Sequence, residues 1–271
     1  MTDTLFDAVS NCSDYLKLDF TAQEFAAFAE ASSFSNSEIL AVSKVFEHLK
    51  EKKERATVEM LLRTSRLSLK NPKTFENFDF SRISGRNVEK LRNLSSLSAI
   101  YAHKNLAFIG KTGTGKTHLA QAFGNECCKH GLKVYFIKMS ELRDRMKDAR
   151  RSGKEGTLLA ALVRPSCLII DEVGHCEFDK ENTRLFFDMV DRRYHKEGSY
   201  NMVFTSNNDP SSWPENFAEG DSLLCALDRI FDDAVVFSIK GDSYRGRKLE
   251  TVSLRVGSNS FTESSRKKTD L

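Results

Sequence analysis

Up to about residue 70, the chain has the hydrophobic pattern of helices. Thr21 precedes Glu24 by three positions, and Ser35 precedes Glu38 in the same way. Each pair can form a capping box, in which two side chains satisfy free amide groups at the start of a helix. The apolar positions after the second box recur at three- and four-residue spacing, which is typical of one helix face. We therefore predict a small helical N-terminal region over residues 1–70, serving as an adaptor that binds DNA or a protein partner.

After about residue 75, short apolar runs alternate with helical patterns. The runs occupy residues 105–110, 133–139, 167–174, 200–207 and 234–240. Strands that are apolar almost throughout are typical of parallel sheets, which helices cover on both faces. We therefore predict that residues 71–250 form one α/β domain with a doubly wound parallel sheet. The polar, Ser-rich segment 251–271 is predicted to be a disordered tail.

Composition and charge predict a soluble, cytoplasmic protein. The net charge of +3 over 271 residues is too small to indicate nucleic acid by itself, so local clusters must carry that argument. The six cysteines include no CxxC pair, which disfavours a zinc site. The N-terminus lacks the apolar core of a signal peptide, and the longest apolar run, residues 158–163, is too short to span a bilayer. No membrane association is expected.

The first apolar run leads into a match to the phosphate-loop motif G-x-x-x-x-G-K-[ST]. Its glycines let backbone amides surround phosphate groups, and the N-terminus of the following helix adds partial positive charge. Lys116 is expected to reach the β- and γ-phosphates of ATP, and Thr117 to bind Mg²⁺. The residues predicted to contact the nucleotide are Gly110, Lys111, Thr112, Gly113, Thr114, Gly115, Lys116, Thr117 and His118.

Two acidic residues end the third apolar run. Asp171 and Glu172 follow "CLII" at the carboxyl end of a predicted strand, where doubly wound sheets bind ligands. We predict that Asp171 shares Mg²⁺ with Thr117 and that Glu172 activates a water molecule as a general base. The pair therefore favours ATP hydrolysis over transfer of a phosphoryl group to a metabolite.

Two further residues are candidates for the γ-phosphate region. Asn207 follows the fourth apolar run, where its amide can orient the attacking water or sense the γ-phosphate, although asparagine is also a common turn former. Arg229 lies on an amphipathic helix whose apolar face is Leu223, Leu227 and Ile230. An outward arginine can complete the site of a neighbouring subunit. On the residue pattern alone, a solvated surface charge is the simpler interpretation.

Residues 140–154 have the pattern of a helix with a basic face and an apolar back. The cations recur three or four residues apart, and Leu142, Met146 and Ala149 form the opposite face. Such a face can present positive charge to the backbone of double-stranded DNA with little sequence preference. An ordinary solvated helix face is the alternative. The residues predicted to contact DNA are Arg143, Lys147, Arg150, Arg151 and Lys154.

Together these motifs resemble the IstB-like branch of the AAA+ ATPases. The resemblance runs from about residue 37 to 248 and rests on "FENFDF", "GKTGTGKTHLA", "LIIDEVG", "FTSN", "ALDRI" and "GDSYR" in family order. It implies that Asn207 is the sensor-1 residue, Arg229 an arginine finger acting in trans within a homo-oligomer, and Arg245 the sensor-2 arginine. Two motifs depart from the family: "GKTGTGKTH" lacks the usual proline, and "DEVGHCEF" replaces the usual "DELGY-P". Few residues follow the last strand, so a helical lid that would carry Arg245 is not expected.

The resemblance implies work on DNA. Members of this branch assist transposition, and the related DnaC group loads replicative helicases. We predict an ATP-dependent, DNA-binding transposition helper that self-assembles on DNA and regulates a partner transposase. A DnaC-like helicase loader is the nearest alternative, because it shares the same ATPase motifs. A switch that binds ATP without hydrolysing it is the alternative from another class, and Glu172 disfavours it.

Overall fold

A computed structural model describes residues 2–85, 87–218 and 220–241 of the chain. The predicted sensor-2 residue Arg245 and the predicted tail 251–271 lie outside these residues. Among the helices that are described, each is too short or too polar to cross a membrane.

Three helices form the N-terminal part of the chain. Both predicted capping boxes are present: the Thr21 hydroxyl accepts from the amide of Glu24, and the Ser35 hydroxyl accepts from that of Glu38. The sequence signals therefore mark the true starts of the second and third helices. The bounds are α1 (Thr2–Leu16), α2 (Ala22–Ala31) and α3 (Asn36–Ser65).

The third helix belongs to two cores. Near its start, Ile39 packs with Val9 and Phe25 in a small core between the three helices. Near its end, Leu61 packs into the core of the sheet domain, as does Leu67 just beyond the helix. The 30-residue α3 thus contributes to the core of the N-terminal helices and to the core of the sheet domain. The boundary at residue 70 remains a prediction.

All five predicted strands form, and they build one parallel sheet. The strands are β1 (Asn105–Gly110), β2 (Val134–Lys138), β3 (Cys167–Val173), β4 (Asn201–Ser206) and β5 (Ala234–Ile239). They lie in the order β2-β3-β4-β1-β5, and every neighbouring pair is parallel. The predicted α/β fold with a parallel sheet is confirmed. Because all strands run the same way, their carboxyl ends meet at one edge, which we call the carboxyl edge.

Helices connect the strands and cover both faces of the sheet. Short helices α4 (Val88–Arg92) and α5 (Ser98–Tyr101) precede β1. The longer helices are α6 (Lys116–Lys129), α7 (Met139–Ser152), α8 (Glu155–Val163), α9 (Lys180–Tyr194) and α10 (Gly220–Phe231). One correction concerns the predicted basic helix over 140–154. It ends at Ser152, because Gly153 adopts a left-handed φ of 63°, and Lys154 starts the next helix instead of continuing the basic face.

The sheet is buried on both faces, as its nearly continuous apolar strands predict. In β1, Leu106 and Phe108 join the core beneath α6, whereas Ala107 and Ile109 join the core on the other face, with Met146 of α7. Alternate residues of one strand therefore serve two separate cores.

A buried arginine ties the connections between strands together. Arg193 of α9 is fully buried, and it donates to four carbonyl oxygens between residues 162 and 166 and to that of Asn201. Burial lowers the pKa of Arg193 to about 10, so the group stays charged. This side chain fixes the starts of β3 and β4, whose far ends carry the candidate site.

Candidate active site

The phosphate loop joins β1 to α6 at the carboxyl edge. Gly110 has a φ of 152°, and a Cβ atom there would collide with the carbonyl oxygen of Ile239 on β5. Gly115 has a φ of 91° immediately before α6. Lys116 is buried, and its Nζ donates to the Lys111 carbonyl oxygen at 2.8 Å. The ammonium group is therefore held against the inside of the loop.

Asp171 and Thr117 meet at this edge, as predicted. The Thr117 hydroxyl donates to Asp171 Oδ1 at 2.9 Å, and the Thr205 hydroxyl of β4 donates to the same oxygen at 2.5 Å. Burial raises the pKa of Asp171 above its ordinary value, although the Thr205 and Thr117 hydroxyls oppose the shift. A carboxylate and a hydroxyl are hard oxygen donors suited to Mg²⁺, so the donor set fits this ion.

Glu172 occupies a strained position beside Asp171. Its φ is 62°, and the β3–β4 register shifts between Ile170 and Val173, so the strand bulges at this point. The Glu172 amide donates to the Thr205 hydroxyl at 3.0 Å. Its carboxylate is half-exposed, and Lys138, at the end of β2, contacts Oε2 at 3.0 Å. The bulge turns this carboxylate out of the buried sheet.

Asn207 connects three loops of the carboxyl edge. Its amide nitrogen lies 3.1 Å from the Thr112 hydroxyl of the phosphate loop and 3.0 Å from Nε2 of His175, in the loop after β3. The structure thus brings the predicted sensor residue to the predicted nucleotide site. Sequence reasoning gave no role to His175.

A cleft of about 420 Å³ opens beside the phosphate loop. Its walls include Lys116 and Thr117 on one side and Phe78 and Asp79, from the segment before β1, on the other. His118 also lines the cleft, and its Nε2 lies 2.9 Å from the Thr74 carbonyl oxygen. The "FENFDF" segment therefore packs on α6 and forms part of the cleft wall.

Arg229 lies at the opposite edge of the sheet. Its Nε contacts Asp191 Oδ1 at 3.0 Å, and its guanidinium group lies over the Phe187 ring at 5.1 Å. It borders a cleft shared with Asn105 and Met202, at the amino ends of β1 and β4. The six residues of β1 place that edge about 17 Å from the phosphate loop. Arg229 thus lies back on α9, away from the phosphate loop of its own chain.

The predicted DNA-contacting face of α7 is only partly available. Arg143 pairs with Asp144 at 2.7 Å, and Arg150 pairs with Asp179 at 2.8 Å. Arg151 approaches Asp148 at 4.0 Å. Leu142, Met146 and Ala149 are buried, as predicted for the apolar back of this helix. Among described residues, the two lysines of the predicted set, Lys147 and Lys154, form no ion pair.

Sequence reasoning missed two features of the site. It assigned no role to Thr205 or to Lys138. Both contacts depend on which strands are neighbours, since Lys138 is on β2 and Thr205 on β4, the two strands that flank β3. For Thr205 the sequence offered one signal, a hydroxyl residue at the end of an apolar strand. For Lys138 it offered none.

The strand order, the phosphate loop after β1 and the acidic pair on β3 define a P-loop domain of the AAA+ type. Solved structures share this fold: AMPPCP-bound DnaA from Aquifex aeolicus, at 22% identity and a TM-score of 0.52, covers 65% of this chain and 52% of its own. A crystal structure of DnaI, at 18% identity and a TM-score of 0.52, covers 68% and 93%. These similarities establish the fold.

The family follows from sequence comparison. The model of the family described as "IstB-like ATP binding protein" matches residues 13–251. A protein of Geobacillus stearothermophilus, named as an ATP-binding protein of insertion sequence IS5376, is 34% identical over 86% of this chain and 91% of its own length. One from Bacillus thuringiensis subsp. berliner, named for insertion sequence IS232, is 30% identical over the same shares. The chain belongs to the IstB-like ATP-binding protein family, as the motifs suggested.

Proposed function

We propose that this protein is an ATP-dependent, DNA-binding transposition helper that hydrolyses ATP, self-assembles on double-stranded DNA and regulates a partner transposase. The observation that carries the proposal is the meeting of Thr117 and Asp171 beneath the phosphate loop. Membership of a family whose relatives are named for insertion sequences supports the link to transposition.

ATP binding is assigned to the phosphate loop. Backbone amides from Gly110 to Thr117 and the N-terminus of α6 would surround the phosphates, with Lys116 neutralising their charge. Mg²⁺ would be held by Thr117 and Asp171 and would supply further positive charge to the phosphate oxygens. Lys116 has to leave the Lys111 carbonyl oxygen for the phosphates, a short movement within the same loop.

Hydrolysis is assigned to Glu172 and Asn207. Lys138 occupies Oε2 of Glu172, so we assign Oε1 to accept the proton of the attacking water. Asn207 would orient that water or contact the γ-phosphate. A water held between these two groups attacks the γ-phosphorus, and the bond to ADP breaks.

The position of Arg229 supports the proposal of self-assembly. At the edge opposite the phosphate loop, Arg229 has no nucleotide of its own chain to contact, so we assign it to the site of a neighbouring subunit. The Asp191 and Phe187 contacts hold the guanidinium in place on α9. We retain Arg245 as a proposed sensor-2 residue on the resemblance alone.

DNA binding is assigned to α7 and the residue that follows its end. The contacting residues would be Arg143, Lys147, Arg150, Arg151 and Lys154. The paired arginines must exchange an intramolecular carboxylate for a phosphate, so their net gain is smaller than that of the lysines. We infer that Lys147 and Lys154 contribute most of the electrostatic attraction.

The ATPase proposal is tested by three variants of the full chain. Lys116→Ala should lose nucleotide binding, whereas Glu172→Gln should bind ATP and turn over at least 100-fold more slowly, the scale of general-base catalysis. Glu177→Gln, an exposed acid in the loop after β3, is the matched control and should behave as the wild type. Steady-state ATPase with and without duplex DNA makes the measurement. Equal turnover in Glu172→Gln and the wild type would refute the assignment of the base.

Action in trans is tested by mixing variants. Arg229→Ala subunits keep a complete phosphate loop, and Lys116→Ala subunits keep the arginine. Each should be inactive alone, and the mixture should regain ATPase activity because one subunit completes the other's site. A mixture of Arg229→Ala with a Lys116→Ala/Arg229→Ala double variant is the control. Lack of recovery in confirmed mixed oligomers would contradict the proposal.

Partner identity separates the proposed role from the helicase-loader alternative. The purified full chain should retain a transposase of an insertion sequence in an ATP-dependent binding assay. Retention of a hexameric replicative helicase instead would favour the loader. Binding of ATP and partner without any DNA-stimulated turnover would favour the non-hydrolysing switch.

A further inference from the structure

The loop after β3 carries a side chain that the proposed mechanism has not used. His175 follows Gly174, which turns the chain with a φ of 90°. Its Nε2 lies 3.0 Å from the amide nitrogen of Asn207, and the same nitrogen lies 3.1 Å from the Thr112 hydroxyl. Three loops, after β1, β3 and β4, therefore meet at one amide group.

These contacts place the nitrogen of the Asn207 amide toward both Thr112 and His175. The Asn207 nitrogen has two protons, one for the Thr112 oxygen and one for His175 Nε2. The second bond requires a neutral imidazole with its proton on Nδ1. With the ring proton on Nδ1, rotating the amide by 180° would place its oxygen against the Nε2 lone pair, and the two acceptors would repel each other. With the ring proton on Nε2, the rotated amide would be favoured instead, so the tautomer of His175 and the orientation of the Asn207 amide are coupled. With both protons in use, Asn207 offers only Oδ1, an acceptor, to a water molecule.

Hydrogen bonds between the segments after β3 and β4 fix the positions of His175 and Asn207 relative to each other. The Ser206 hydroxyl donates to the Val173 carbonyl oxygen at 2.7 Å and accepts from the Asn208 amide at 3.0 Å. These bonds connect the end of β3 to the end of β4, on either side of the two residues. Further along the loop, the Phe178 amide donates to the Asn216 carbonyl oxygen at 2.8 Å. The distance between the two loops is therefore set by buried contacts.

We propose that His175 is a positioning residue that orients the Asn207 amide, so that Oδ1 of Asn207 accepts a hydrogen bond from the attacking water. The proposal deepens the proposed function, because it rests on ATP hydrolysis at this site. His175 acts through Asn207 and touches neither ATP nor the water. We expect its loss to change the rate of hydrolysis while ATP affinity is maintained, since the hydrogen bond of His175 is made to Asn207 and not to the phosphate loop.

The kinetic test compares His175→Ala with His175→Gln. The alanine variant should lower kcat about 10-fold, the lower end for a residue that orients a reacting group, with the Kd for ATP within about 2-fold of the wild type. Glutamine should recover much of the loss, because its side-chain oxygen can accept the same proton. His130→Ala, at the far end of α6, is the matched control and should leave kcat unchanged.

A double-mutant cycle tests whether the effect passes through Asn207. Asn207→Ala should lower kcat, and adding His175→Ala should lower it no further, because the amide that His175 orients is gone. Losses that multiply in the double variant would overturn the proposal. So would a His175→Ala enzyme with wild-type kcat, or one whose loss lies in KM alone.

A spectroscopic readout does not depend on hydrolysis. In protein labelled with ¹⁵N at histidine, the His175 signals, identified by their absence in His175→Gln, should show a neutral ring with the proton on Nδ1. Asn207→Ala should shift the Nε2 signal. A proton on Nε2, or no response to Asn207→Ala, refutes the positioning role. Absence of ATPase activity with these signals intact would refute the proposed function and leave the contact established.

Discussion

The carboxyl edge and the α7 helix differ in how their polar groups find partners. At the carboxyl edge, Asp171 is buried and accepts bonds from hydroxyls on two other elements. On α7, Arg143 pairs with its neighbour in sequence, and Arg150 pairs with the N-cap residue of α9. At the carboxyl edge, polar groups from several elements surround one space of ligand size. On α7, the arginines form ion pairs with carboxylates of the same chain.

The two regions show that sequence patterns differ in how reliably they predict a functional site. A phosphate loop requires glycines at fixed positions and an acid at a strand end, so few other structures meet the pattern. A basic helix face requires only spacing, and acids elsewhere in the chain can neutralise it. We therefore expect a rigid nucleotide site, and a proposed DNA surface that attracts DNA mainly through its lysines.

Among the changes that test this difference between the two regions, the largest effect is expected from Thr205→Val at the carboxyl edge. This change keeps the shape of the side chain but removes the hydroxyl that donates to Asp171 and accepts from the Glu172 amide. Groups that orient a metal ligand are typically worth 10–100-fold, so we expect Mg²⁺-dependent ATPase to fall by about that factor. A titration of activity with Mg²⁺ makes the measurement.

The control for this change is Thr64→Val. The Thr64 hydroxyl bonds only to backbone carbonyls of its own helix, α3. It should leave the Mg²⁺ dependence unchanged. Wild-type Mg²⁺ affinity in Thr205→Val would show that the Thr205 hydroxyl is not needed to hold Asp171 in position at the carboxyl edge.

The elements and motifs could be predicted from the sequence, but their mutual contacts could not. Strand bounds, both capping boxes and the Asp171–Thr117 meeting follow from local patterns and from the parallel direction of the strands. The contacts of Lys138 and Thr205 require the order of the strands, which one sequence does not contain. Likewise, no glycine or proline lies at Glu172 or directly beside it, so the sequence did not indicate the bulge there.

The pairing of Arg150 shows the same limit on the outer surface. Helical spacing correctly separated the buried and exposed sides of α7. It could not show that α9 packs alongside and brings Asp179 to the exposed side. Whether Arg150 is available to DNA depends on that tertiary contact, and its partner Asp179 is 29 residues away in the sequence.

A smaller effect is expected from Lys147→Ala combined with Lys154→Ala. Each lysine lost should reduce the slope of log K against log salt for duplex DNA by about one. At about 0.15 M salt this corresponds to roughly 5-fold in affinity per lysine, similar for all DNA sequences. Fluorescence anisotropy over a salt series makes the measurement. An unchanged slope would remove this end of α7 from the proposed DNA surface.

The smallest effect is expected from Arg150→Ala, and it should appear in stability more than in DNA binding. Arg150 donates to Asp179 at 2.8 Å and to Asn182 at 3.0 Å, and Asp179 also caps α9. Because the Arg150 and Asp179 side chains are 30% and 52% exposed, the pair should contribute only about 1 kcal/mol to the free energy of unfolding. Urea denaturation measures it, with the exposed Lys154→Ala as a control near zero. Arg150→Lys keeps the charge but loses the planar guanidinium group whose Nη1 donates to both Asp179 and Asn182, so it should be destabilised while DNA affinity is retained. If Arg150→Ala instead weakens DNA binding as much as the lysine changes do and unfolds normally, then the arginine does exchange Asp179 for phosphate, and the contrast between the two regions disappears at this residue.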